Sequence, residues 1–104
     1  MKTVLIILLA LHGTIHLMGF AKAFDILPVK PLNQYISKTF GILWLTASLL
    51  CFTCVLLILI NIGEWWLVGL TAILVSQILI IRFWKDAKFG TIANVIIAAI
   101  LFTV

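Results

Sequence analysis

The chain has 104 residues, of which 65% are hydrophobic and only 10% charged, and its formal net charge is +4. Soluble domains are about 45–50% apolar and about 25% charged, and a chain this short cannot bury so much apolar surface, so the composition excludes a water-soluble fold. The positive charge does not indicate a nucleic-acid partner, because the basic residues flank apolar segments and form no patch with aromatic residues.

Four apolar segments approach the roughly 20 residues that a helix needs to cross a bilayer. Backbone polar groups in hydrocarbon must be paired within the segment, and no segment shows the alternating pattern of a strand, so all four are expected to be helical. Short connections favour antiparallel neighbours, and the predicted fold is an all-α, integral membrane four-helix bundle with up-down topology. In this single domain, 1–104, the predicted helices are 3–23, 39–62, 65–84 and 87–104.

The first predicted helix carries two histidines within the stretch LHGTIHLMGF, residues 11–20. His12 is expected near the middle of the bilayer, and His16 lies one turn further along the same face of the helix. Gly19 continues that face and is small enough to let another helix approach. Ionisable side chains inside a membrane are functional candidates by default, so this pair is the first candidate site.

The two loops at residues 24–38 and 85–88 carry most of the basic side chains of the chain. Lysine and arginine mark the cytoplasmic side of membrane helices, and only Lys2 lies on the opposite side, so both loops are predicted to be cytoplasmic and both termini outside. Charged residues of these loops and of the adjoining helix ends form a candidate basic mouth for an anionic lipid or an acidic substrate, unless they serve topology alone. The members of this mouth are Lys22, Lys38, Arg82, Lys85, Lys88 and Asp86.

Cys51 and Cys54 have the spacing of a redox CxxC motif but lie within the apolar second helix. Redox pairs normally lie at a helix N-terminus beside water, where the thiolate can form. Packing is therefore the preferred interpretation of these two small residues, and their redox activity stays open.

Other polar side chains fall at a depth similar to that of the histidines, one or two on each remaining helix. Polar groups within a membrane span usually face inward, because lipid offers them no partner. They either join helices through hydrogen bonds, each of which contributes about 0.6 kcal/mol to stability on average, or they converge on a ligand. The candidate ligand-binding residues are His12, His16, Trp44, Ser48, Gln77 and Asn94.

Several kinds of chemistry suit such a site. A pocket for the head group of a quinone or a lipid is the simplest possibility, because it needs only hydrogen-bonding groups. A transition metal bound by His12 and His16 lacks an evident third ligand, with only Gln77, Asn94 or a cysteine available. A haem needs a second copy of the chain, or one histidine with another ligand, because one helix cannot supply imidazoles to both faces of the ring. A proton relay is a further alternative. No nucleophile–base pair or carboxylate dyad indicates an enzyme.

Two stretches, HGTIHLMGFAKAFDI at 12–26 and SKTFGILWLTASLLCFTCVLLIL at 37–59, resemble the first two helices of DoxX-like small four-helix membrane proteins. Gly19 and Lys22 match the Gly-x-x-Lys end of the first helix in that family, and Gly41 matches the glycine-rich start of the second. The acidic residue that the family often carries early in the second helix is missing here.

The chain also resembles small bacterial membrane modules with an HGxxH first helix, a WW pair opening the third helix and a DAKFGTxAN sequence opening the fourth. Both resemblances imply a multi-pass protein of the bacterial inner membrane, and the first hints at a quinone-linked or lipid-linked process. The predicted function is the binding of a lipophilic small molecule. The alternatives are an accessory subunit of a membrane complex or a homodimer, and proton or metal-ion transport.

Overall fold

The computed structural model describes residues 2–26 and 34–103, and all regular secondary structure within them is helical. This confirms the predicted all-α class. Pro28, Lys30 and Pro31 of the first predicted loop lie outside the described residues. The helices are α1 (Lys2–Ala23), α2 (Lys38–Leu59), α3 (Trp65–Arg82), α4 (Trp84–Ala87) and α5 (Gly90–Thr103).

Three of these helices are long and apolar enough to cross a membrane. They are α1 and α2, with 22 residues each, and α3, with 18. Helix α5 has 14 residues, so at 1.5 Å per residue it reaches about 21 Å, less than the roughly 30 Å of a hydrocarbon core. The chain is therefore a membrane protein with three helices of spanning length and a shorter apolar one.

Phe83 ends α3 earlier than the sequence indicates and separates it from the short helix α4. Its backbone leaves the helical conformation, with φ −113° and ψ 41°, and its carbonyl accepts hydrogen bonds from the N–H groups of Asp86 and Ala87 at 3.0 and 2.9 Å. Its ring is fully buried and packs against Phe40 and Trp44, with centroids 5.5 and 5.8 Å away. The turn that buries this ring is followed by the short helix α4. The last helix, α5, therefore begins at Gly90 and not at residue 87 as the sequence predicts.

The ends of the long helices are fixed by local hydrogen bonds. Helices α1 and α2 are followed by Asp25 and Asn61 in the left-handed conformation, with φ 53° and 61°. In both cases the next N–H donates to the carbonyl five residues before it, at 2.9 and 3.0 Å, which is the Schellman type of helix end. The side chain of Ser37 accepts from the N–H of Phe40 and caps the start of α2.

The core has two apolar regions with a polar layer between them. One region includes Leu5, Leu9, Cys51 and Cys54 near the start of α1 and the end of α2. The other includes Ile36, Trp44, Ala47, Leu79 and Phe83, at the end where α1 finishes and α2 begins, which we call the basic end because Lys22, Lys38 and Arg82 lie there. The polar layer between them consists of the buried side chains His12, His16, Ser48, Ser76 and Asn94.

Helices α1 and α2 approach each other closely at Gly19, against which the indole of Trp44 lies. A Cβ atom at position 19 would overlap the indole ring, whereas a Cβ at Gly63 would meet no atom within 4 Å. The glycine on α1 therefore fixes the position of Trp44 beside the polar layer.

We predict that Gly19→Ala lowers the free energy of unfolding by about 1–3 kcal/mol, because the added methyl group displaces Trp44. Reversible unfolding in detergent, followed by circular dichroism, measures this difference. Gly63→Ala is the matched control, and its free energy of unfolding should stay close to that of the wild type. Equal stabilities for the two variants would contradict the close approach of Trp44 to Gly19.

Candidate ligand-binding site

A chain of side-chain hydrogen bonds crosses the polar layer from α1 to α5. His12 Nε2 lies 2.9 Å from Ser76 Oγ on α3. Asn94 Nδ2 donates to Ser76 Oγ at 3.1 Å and to Gln77 Oε1 at 3.0 Å, and Gln77 Nε2 donates to Thr91 Oγ1 at 3.2 Å. Three helices are thus joined at one level, and the hydrogen-bonding capacity of these side chains is largely used within the protein.

Ser48, a predicted ligand-binding residue, has a different partner. Its hydroxyl donates to the carbonyl oxygen of Gly13 at 2.8 Å, and its side chain is completely buried. The helices are close together here, since a Cβ at Gly13 would come within 3.1 Å of the Phe52 ring. The structure therefore places Ser48 in the contact between α1 and α2.

His16 is held by its own helix in one tautomer. Its Nδ1 lies 2.9 Å from the backbone carbonyl oxygen of His12. A carbonyl oxygen only accepts, so the proton of the neutral imidazole is on Nδ1 and Nε2 is an unprotonated acceptor. The ring lies between those of His12 and Trp44, with centroids 4.5 and 5.2 Å away and tilts of 57° and 48°.

Two buried nitrogen atoms have no hydrogen-bond partner within residues 2–26 and 34–103: His16 Nε2 and Trp44 Nε1. Both side chains are only 2% exposed. Buried polar atoms are nearly always paired, because an unpaired group has lost its water without gaining a partner. These two atoms therefore require an explanation beyond packing.

Both side chains line a cavity of about 300 Å³, at the lower end of the range for small-molecule sites. The cavity lies between α1, Trp44 of α2 and the segment from Ile80 to α5, on the basic-end side of the polar layer. Ile15 and Phe89, which also border it, are 55% and 73% exposed on the outer face. The full lining is His12, Ile15, His16, Met18, Trp44, Ile80, Asp86, Ala87, Phe89, Gly90 and Ala93.

The predicted ligand-binding residues separate into two groups. His12, His16 and Trp44 border the cavity, whereas Gln77 and Asn94 form the hydrogen-bonded support behind them and Ser48 joins α1 to α2. Sequence reasoning left Ser76 out of the candidate set, although its place beside Gln77 was a signal. It also left out most of the apolar lining, which has no motif.

The predicted basic mouth is partly occupied by aromatic contacts. The Arg82 guanidinium lies 5.2 and 5.0 Å from the ring centroids of Phe40 and Phe83, and Lys88 Nζ lies 5.3 Å from that of Phe89. Asp86 accepts from the backbone N–H of Gln34 at 2.6 Å and also borders the cavity. Of the other members, Lys22 is in the last turn of α1, Lys38 begins α2, and Lys85 lies in α4.

The described residues do not bring a third metal ligand to the histidine pair. No group of three or more His, Cys, Asp or Glu side chains lies close enough to share an ion within 2–26 and 34–103. Cys51 and Cys54 are free buried thiols, and Cys54 Sγ donates to the carbonyl of Trp65 at 3.4 Å. The cysteines thus belong to the apolar core, away from the cavity.

Comparison with protein-family models, curated proteins and solved structures finds no match to this chain. The chemistry of the cavity is therefore inferred from its own residues. The geometry gives a small, mostly apolar space lined by two side chains that each have an unpaired ring nitrogen.

We predict that Ser76→Ala lowers the free energy of unfolding by about 0.5–2 kcal/mol, because it removes the group that joins His12 to Asn94. The measurement is equilibrium unfolding in mixed micelles. Thr71→Ala on the same helix is the control, since the exposed Thr71 hydroxyl bonds only to its own helix at Leu67. If Thr71→Ala lowered the free energy of unfolding by as much, the hydrogen bonds of the polar layer would make no specific contribution to stability.

Proposed function

We propose that this protein binds a lipophilic small molecule, a quinone or a membrane lipid, with its polar head in the cavity beside His16 and Trp44. The observation that carries the proposal is that His16 and Trp44, two side chains that line a 300 Å³ cavity, each have a buried ring nitrogen without a hydrogen-bond partner. A bound head group would satisfy both atoms, and the cost of burying them would then be offset by ligand binding.

The remaining walls suit an apolar ligand. Ile15, Met18, Ile80 and Phe89 supply hydrocarbon and aromatic surface. The exposure of Ile15 and Phe89 supports entry from the side, between α1 and α5, where a lipid-soluble molecule is already concentrated. Behind the head group, the hydrogen bonds of His12, Ser76 and Asn94 keep the polar wall rigid.

A second candidate is an accessory subunit of a larger membrane complex or a homodimer. An accessory or dimeric role is compatible with ligand binding.

Transport of protons or metal ions has less support, because the polar layer stops at apolar regions on both sides.

We further propose that the chain is a four-helix bundle of the bacterial inner membrane, with both termini outside and loops 24–38 and 85–88 in the cytoplasm. The positions of Lys38, Arg82 and Lys85 at the basic end support this orientation. The similarity to DoxX-like proteins and to HGxxH modules is consistent with it.

We predict that a cysteine at position 2 reacts with a membrane-impermeant maleimide in intact spheroplasts, whereas a cysteine at position 85 reacts only after permeabilisation. The substitutions are Lys2→Cys and Lys85→Cys, and both side chains are exposed. Native Cys51 and Cys54 are at most 1% exposed, so the wild type serves as the unlabelled control. The opposite labelling pattern would invert the proposed topology.

We predict that the protein, gently extracted from its own membrane, carries a bound lipophile that His16→Leu loses. Native mass spectrometry identifies the ligand by mass, and elemental analysis of the same sample tests for a metal. Thr14→Leu on the same helix is the control, because Thr14 is exposed and bonds only to Ala10 of α1. An empty wild-type protein, no less stable after His16→Leu, would leave the accessory-subunit reading as the better one.

A further inference from the structure

The unpaired nitrogen atoms of His16 and Trp44, two side chains that line the cavity, have opposite hydrogen-bonding roles. His16 Nε2 accepts, because the backbone carbonyl of His12 fixes the imidazole proton on Nδ1. Trp44 Nε1 carries a hydrogen and only donates. The rings are neighbours, with centroids 5.2 Å apart. Two neighbouring side chains that line the cavity therefore carry an unpaired acceptor and an unpaired donor.

A hydroxyl group is the smallest ligand group that satisfies both atoms, since its one oxygen can donate to His16 and accept from Trp44. A ketone, an ester or an ether only accepts, so it would pair with Trp44 and leave His16 Nε2 buried without a partner. His12 also borders the cavity, but its Nε2 is already held by Ser76. That nitrogen therefore offers no equivalent acceptor.

We infer that the head group bound between His16 and Trp44 is a hydroxyl, so that the ligand is a lipophilic phenol or alcohol. This inference rests on the proposed function and narrows it. Among quinone-type ligands it selects the reduced hydroquinone, and among lipids it selects those with a free alcohol, such as a diacylglycerol.

The competing arrangement is a direct hydrogen bond from Trp44 Nε1 to His16 Nε2, which would satisfy both atoms without any ligand. The structure has no such bond. If the two rings paired in solution, a hydroxyl would gain nothing over an ether. The comparison of two such ligands therefore tests both arrangements.

The experiment titrates delipidated protein in detergent with 4-nonylphenol and with its methyl ether, 4-nonylanisole, which differ only at the hydroxyl. The bound fraction is measured by native mass spectrometry at matched probe-to-detergent ratios. We expect the wild type to bind the phenol about tenfold more tightly, since the ether leaves one buried acceptor unpaired.

Two variants assign the preference to the two atoms. His16→Leu should reduce the preference for the phenol to less than about twofold, because the acceptor is gone. Trp44→Phe keeps a ring but loses the N–H group, so it should weaken both probes by similar factors and retain the preference.

Equal binding of the phenol and the ether to the wild type would overturn the hydroxyl inference and leave the lipophile-binding function standing. Binding of neither probe would overturn both. A last comparison, between the phenol and 1-dodecanol, distinguishes the two classes of hydroxyl ligand. Tighter binding of the phenol supports a hydroquinone-like ligand, and tighter binding of the alcohol supports a lipid alcohol.

Discussion

The pairing of polar side chains in a place that water does not reach is the constraint on which the rest of this structure depends. His12, Ser76 and Asn94 belong to three different helices, and each satisfies another at 2.9–3.1 Å. Hydrocarbon offers no substitute partner, so a rotation or a slip of any of these helices by one residue would leave polar atoms unpaired. The polar layer therefore sets the register of α1, α3 and α5, and the apolar regions on either side complete the packing around it.

The cavity exists because the chain cannot fill the space next to this layer. Phe83 turns inward to join Phe40 and Trp44, and the backbone turns with it, so α4 and the start of α5 do not continue the axis of α3. The small residues Gly90 and Ala93 then face the gap. The polar layer and the cavity meet at His16 and Trp44, and these two side chains carry the buried ring nitrogens that lack a partner in the described part of the chain.

The sequence predicted the parts of this structure that depend on composition and periodicity. Long apolar runs gave the helices of spanning length, and the spacing of His12 and His16 gave a common face. The turn at Phe83 could not be predicted, because the stretch IIRFWK contains no proline or glycine and its geometry depends on the ring's tertiary contacts. The same holds for the link from Ser48 to Gly13 and for the cavity, which arise only when helices distant in sequence are packed together.

His12 and His16 show how one helical turn separates two roles. The Nε2 atom of His12 faces Ser76, so the orientation of this ring depends on α3. His16 is oriented by a carbonyl of its own helix, so its tautomer does not depend on a contact with another helix or with a ligand. An acceptor that is fixed in advance costs little reorganisation when a ligand binds, which is what a recognition group requires. Replacing both histidines at once would mix a loss of packing with a loss of recognition, and the single substitution at His16 separates them.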